Sequence, residues 1–158
     1  MNAPAAEPLW RMSLAGSELA RIDMHPDSTG QGGLGGDIVQ LVFAVAQVHP
    51  AQAPRLGAGD DTAYLTGVVW RLEEAEAATP VPAALTGRLG NCELSVRGQD
   101  QSQGQGEGLK GHTVVPSTLP GPLTLTLCSA LGDAWTVQAQ ALVVQWDGAG
   151  AALPSLAC

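Results

Sequence analysis

The chain has 158 residues and a formal net charge of −8 at pH 7, with a sequence pI near 4.6. Seven Lys and Arg face fifteen Asp and Glu, and the arginines are dispersed at 11, 21, 55, 71, 88 and 97. Phosphate backbones and anionic membranes need clustered basic residues, and no run approaches the roughly 18 apolar residues of a membrane-spanning helix, so nucleic acid and membrane are excluded as expected partners.

Charged residues make up 14% of the chain, against a usual share near 25%, and 20 Gly and 11 Pro point to many turns rather than helices. One domain is the natural reading of this length. Its core has to come from Leu, Val, Ala and four Trp, since there is one Phe and one Tyr. The only helix-like stretch is LEEAEAA at 72–78, which has no apolar face and reads better as a strand end running into a loop.

Residues 10–15 and 19–25 read as a first hairpin around Gly16, Ser17 and Glu18. That register sets Trp10, Met12 and Leu14 against Met24, Ile22 and Ala20, with Arg11 opposite Asp23 outside. A Gly-rich loop follows, then residues 37–48 (DIVQLVFAVAQV), which are apolar on both faces as in a central, doubly covered strand. His49 and Pro50 end it. The stretch 62–72 reads as one strand with Tyr64, Val68, Trp70 and Leu72 on a common face.

A second hairpin is expected across Gly90 and Asn91 as a type II′ turn, pairing Leu89 with Cys92, Leu85 with Val96 and Arg88 with Glu93. Residues 98–112 are Gln- and Gly-rich and read as a mobile loop. After a short extended piece at 113–115, the last hairpin joins 123–128 to 135–144. It pairs Leu123, Leu125 and Leu127 with Ala141, Ala139 and Val137, around a loop of Leu131, Gly132 and Asp133. The pattern is that of an all-β protein with little or no helix: an antiparallel β-sandwich of about eight strands, with a closed β-barrel as alternative. The expected organisation is a single β domain over 1–158, with mobile loops near 26–36 and 98–112 and a frayed tail after 147.

The motifs that could carry chemistry are weak. The glycines at 30–36 precede a strand rather than a helix, which argues against dinucleotide binding. Lys110 lies between Leu109 and Gly111, so the phosphate-loop spacing fails. Asp23 and His25 share a strand face and could be two metal ligands, with His49, Asp60 and Asp61 as further donors; the competing reading is a solvated strand end with Asp23 held by Arg11. Ser17, Ser95, Ser117 and Ser129 lack a nucleophile elbow, and Cys92 reads as a small core residue. Glu73, Glu74 and Glu76 form a contiguous acidic run, read as a solvated surface rather than a glycosidase pair. Trp10, Trp70 and Trp135 are expected in the core, with Trp146 left open between core filler and sugar platform.

Three cysteines (92, 128 and 158) without a C-x-x-C argue against a disulfide framework. With no basic-then-apolar leader in MNAPAAEPLWRMS, the expectation is a cytoplasmic protein with reduced thiols. No catalytic, cofactor-binding or metal residue is assigned, and no cofactor is expected. The leading functional expectation is a non-catalytic binding or assembly protein that self-associates as a homo-oligomer or meets a protein partner, because strand 37–48 calls for cover on both faces. The alternatives are a small apolar-ligand carrier with a barrel-like cavity, and a small hydrolase using His25, His49 or His112 with an Asp.

Overall fold

The computed structural model describes residues 10–26, 36–50, 62–96, 112–148 and 153–154. The expected loops near 26–36 and 98–112 and the tail after 147 lie almost wholly outside these residues. Ten strands appear in chain order: β1 (Trp10–His25), β2 (Asp37–Pro50), β3 (Ala63–Leu65), β4 (Val68–Ala77), β5 (Gly87–Arg88), β6 (Glu93–Val96), β7 (His112–Val115), β8 (Ser117–Cys128), β9 (Ala134–Trp146) and β10 (Leu153–Pro154). The only helical turn among the described residues is a 3-10 turn at Ala83–Leu85. The all-β class therefore holds, and LEEAEAA runs on as the second half of β4.

All the strand pairs are antiparallel and belong to one strongly curled sheet, in which β2 pairs β1 on one side and β3 and β4 on the other. From β4 the order continues through β9 and β8 to β6. The outer side of β1 is paired by β7 at Trp10–Ser13 and by β5 at Glu18 and Leu19. Residues 87–90 also reach the far end of β8. Leu89 bridges Ser129, the Gly90 amide donates to Cys128 O (2.8 Å), and the Ala130 amide donates to Arg88 O (2.9 Å). One short segment thus ties the margin at β1 to the margin at β8.

Alternation decides what lies inside the curl. Leu41 of β2, Trp70 and Leu72 of β4, Leu142 and Val144 of β9, and Leu125 and Leu127 of β8 are all buried. They form one core with Met12, Leu14 and Leu19 of β1, Leu85 and Leu89.

The first expected hairpin does not form. Residues 10–25 are one strand, and the expected loop residues are absorbed as a bulge, marked by register shifts against β2 between Ser13 and Arg21. Gly16 takes φ +87° there, and a Cβ would sit 1.8 Å from Gln47 Oε1. Ser17, fully buried, accepts the Gln47 amide on its hydroxyl (2.9 Å) and donates to Ser13 O, replacing the ladder bonds that the bulge removes. Arg11 consequently faces His49 and Val114, while Asp23 takes its ion pair from Arg21 along the same strand at 2.7 Å. Ser17→Ala is expected to leave the Gln47 amide buried without an acceptor. It should lower stability by about 1–3 kcal/mol, read as a thermal midpoint several degrees lower.

The second expected hairpin is also absent. Residues 83–85 curl into the 3-10 turn, β5 pairs β1, and β6 pairs β8, so that Leu94 faces Leu125 and Glu93 faces Thr126. Local turn chemistry at Gly90 and Asn91 is outweighed by the burial of Leu85, Leu89 and Leu94, with Leu89 set against Ser129 and Leu94 against Leu125. The last hairpin forms two residues out of the expected register: Leu123, Leu125 and Leu127 face Ala139, Val137 and Trp135. A two-residue slip keeps every side chain on its face, so the pattern alone could not distinguish the two registers. The turn decides, since Cys128 pairs Ala134, and Ser129 Oγ accepts the amides of Leu131 and Asp133.

The strand expected over 62–72 is broken at Thr66 and Gly67 into β3 and β4, where Gly67 has φ +78°. Ala63 and Leu65 are the buried residues of β3, so Tyr64 does not share the face of Trp70. Pro120 and Pro122 lie within β8, before residues 123–126 that pair β6, so the side of β8 towards β6 loses no ladder donor to them.

Candidate interaction face of the curled sheet

The inside of the sheet is filled. Trp70 is 0% and Trp135 1% exposed. Phe43 packs on Trp70 with ring centroids 5.7 Å apart. The Trp135 indole donates to Thr79 O at 3.0 Å, which pins the chain that follows β4 over the core. Trp10 is half-buried against the core, so Trp10, Trp70 and Trp135 all serve as the bulky filling expected of them. Trp146, at the end of β9, is half-buried and donates to Thr66 O at 3.1 Å.

The outside has a different character across its central strands. Val42 of β2 faces Val69 of β4, and Val69 in turn faces Gln145 of β9. One row along, Gln40 faces Arg71, which faces Val143, which faces Thr118 of β8. Val42, Val69 and Val143 are each half-exposed, as is Ile38 nearer the end of β2. An open groove of about 810 Å³ runs beside them, lined by Val69, Val143, Pro116 and Thr118, with Trp146 and Asp147 at one end. Two ion pairs on this face run along single strands. Arg21 holds Asp23, and Arg71 Nε lies 3.5 Å from Glu73 Oε1, within ion-pair range but not aligned as a hydrogen bond. The face therefore combines three valines with Arg71 at its centre, and these four charged groups balance one another.

A second cleft, of about 510 Å³, lies at the end of β4 between Met24, Asp37, Glu74 and Glu76. Glu74 has φ +48°, and Gly36 approaches so closely that a Cβ there would stand 2.6 Å from the Glu74 backbone. Glu74 and Glu76 are exposed and Glu73 half-buried, which makes the acidic run a surface of β4.

The other residues singled out do not converge. His25 is exposed at the end of β1, His49 is half-buried on β2 opposite Arg11, and Asp60 and Asp61 lie outside the described residues. Among the described residues no group of three or more His, Cys, Asp or Glu side chains comes together to hold a metal ion. Ser17 and Ser129 are buried and bonded to backbone, and Ser117 donates to Val114 O. Cys92 is buried, as expected, and its thiol touches the backbone of Cys128: the Cys128 amide donates to Cys92 Sγ at 3.3 Å, and Sγ donates to Cys128 O at 3.6 Å. Burial pushes the Cys92 thiol up, the Cys128 backbone bond draws it back, and the nearby Cys128 thiol adds to the rise. No helix among the described residues is long and apolar enough to cross a membrane.

The groove residues are the ones sequence reasoning missed. The signal was present in two doublets, Val68 with Val69 and Val143 with Val144. A strand that places two valines in succession must turn one of them outward. Comparison with known protein families, with curated proteins and with solved structures finds no match to this chain.

Proposed function

We propose that the protein is a non-catalytic binding protein that self-associates through the outer face of β2, β4 and β9. The observation that carries this reading is the run of half-buried Val42, Val69 and Val143 on adjacent strands, with Arg71 among them in ion-pair range of Glu73 and Arg21 beside them paired to Asp23. Three neighbouring β-branched side chains on an outward face gain by losing water. Intrastrand ion pairs around them remove the repulsion that unpaired charges would bring to a self-complementary contact. The filled interior lends the carrier alternative no comparable support. Of the two architectures expected, the barrel has the more support, because residues 87–90 hydrogen-bond to β1 on one side and to the end of β8 on the other.

The test is sedimentation velocity at tens of micromolar, for the wild type and for Val69→Glu. The wild type is expected to sediment as a dimer or larger. Val69→Glu places a charge at the centre of the face and is expected to run as a monomer with the wild-type circular dichroism spectrum. A monomeric wild type at that concentration would overturn the proposal.

A further inference from the structure

Where the short segment 87–90 meets the end of β8, the thiol of Cys92 lies against the backbone of a second cysteine, Cys128. Cys92 Sγ does not point into the middle of the core. It lies against the edge of β8, within 3.3 Å of the Cys128 amide nitrogen and 3.6 Å of its carbonyl oxygen. It occupies the place where a ladder partner would otherwise stand, just before β6 takes up regular pairing at Glu93 and Thr126. Both cysteines are free thiols, Cys92 buried and Cys128 half-buried. Cys92 Sγ touches the backbone of the very residue that carries the second thiol, and the two thiols are near enough to influence each other electrostatically.

We propose that Cys92 and Cys128 form a reversible intramolecular disulfide with a low-molecular-weight disulfide such as oxidised glutathione as oxidant. Cys128, the more accessible thiol, attacks first as its thiolate and releases one glutathione, leaving a mixed disulfide. The Cys92 sulfur then displaces the second glutathione. Two protein thiols are oxidised, one glutathione disulfide is reduced to two thiols, and the two protons end on the glutathiones. The burial that keeps Cys92 protonated, and therefore a donor to Cys128 O, makes the second step the slower one.

The position gives the bond a structural consequence. Cys128 O also accepts the Gly90 amide, and Leu89 bridges Ser129 next door. A Cys92–Cys128 bond therefore fixes covalently the join that otherwise rests on a few hydrogen bonds and one leucine. The oxidised protein is a version of the same fold in which the segment at 87–90 cannot part from β8. This inference is independent of the proposed self-association, since β6 and the turn after β8 take no part in the face described above.

The full-length chain, incubated folded in glutathione buffers of increasing oxidised fraction and then acid-quenched and alkylated, provides the test. Trypsin cuts after Arg88, Arg97 and Lys110, and chymotrypsin cuts after Trp135, so each of the three cysteines falls on its own peptide. The expected product is a cross-link between the peptides of Cys92 and Cys128, two hydrogens lighter than the sum of its parts and reversed by dithiothreitol. The oxidised chain should melt roughly 10 °C higher than the reduced one, because closing the loop from 92 to 128 restricts the unfolded state. Cys128→Ser should abolish both effects. The proposal is overturned if the oxidised protein carries glutathione on Cys128 with Cys92 still free to alkylate once unfolded, or if the cross-link joins either residue to Cys158 instead.

Discussion

Trp70→Ala is expected to lower the free energy of unfolding by about 3–5 kcal/mol, and Trp70→Phe by less than half as much. Trp70 stands at the middle of the sheet, between Leu41 of β2 and Val144 of β9, with no exposed surface. Truncation to alanine removes the contact with Phe43 and leaves a void that strands held on both sides by ladder bonds cannot collapse to fill. Phenylalanine keeps a ring against Phe43 and deletes the indole N–H, which is buried and has no hydrogen-bond partner among the described residues. Removing an unsatisfied donor offsets part of the lost volume. Urea melts of the two variants separate these contributions. If Trp70→Phe proves as costly as Trp70→Ala, the indole nitrogen is satisfied after all, and the argument for an orphaned donor fails. Since domains of this size have only about 5–15 kcal/mol to lose, the alanine variant is also the one expected to accumulate least.

Alternation and burial were the legible parts of this sequence, and long-range partnership was not. The doubly apolar run 37–48 is the strand β2, central in the sheet but with an outward face that leaves Val42 half-buried and Ala44 exposed. Trp70, Trp135 and Leu125 lie inside as their period-2 positions require, whereas the alternation of β9 changes phase after Ala139 and buries Leu142 in place of the expected Ala141. The first two expected hairpins failed for a shared reason. A three-residue interval such as Gly16, Ser17 and Glu18 satisfies a turn and a bulge equally well in local terms. The choice was made by Gln47, thirty residues on, whose backbone amide donates to the Ser17 hydroxyl. Gly90 and Asn91 likewise carry acceptable turn chemistry, but Leu89 finds Ser129 and Leu94 finds Leu125, contacts that no window around the turn contains. In the last hairpin the face assignment survived for Leu123, Leu125, Leu127, Val137 and Ala139 but not for Ala141, while the register moved by two, an error that period-2 reasoning cannot detect. The valine-bearing outer face was hidden for a related reason. Val69 and Val143 belong to different strands, and only the pairing of β4 with β9 makes them neighbours.

That dependence on distant pairings makes Leu89 the most informative residue of the fold's weakest join. Leu89→Ala is expected to cost about 2–5 kcal/mol, and to cost it locally first. The strand β5 has two residues, so nothing else in the segment has a side chain of comparable burial after Leu85, which belongs to the 3-10 turn. The hydrogen bonds there run in both directions: the Leu89 amide to Ser17 O at 2.9 Å and the Gly16 amide to Leu89 O at 3.3 Å on one side, the Gly90 amide to Cys128 O on the other. With the leucine truncated, those bonds remain but lose the apolar cover that keeps water from competing for them. Amide exchange should therefore show Gly16, Leu89, Gly90 and Ala130 losing protection while the β4–β9 ladder around Leu72 and Leu142 keeps it. Uniform loss across both regions would mean that the segment opens only with the whole sheet, and the join would then be part of a closed cooperative unit. Selective loss would mean a sheet whose two margins part without unfolding, held together in the resting state by one buried leucine, and in the oxidised state by the cysteine pair beside it.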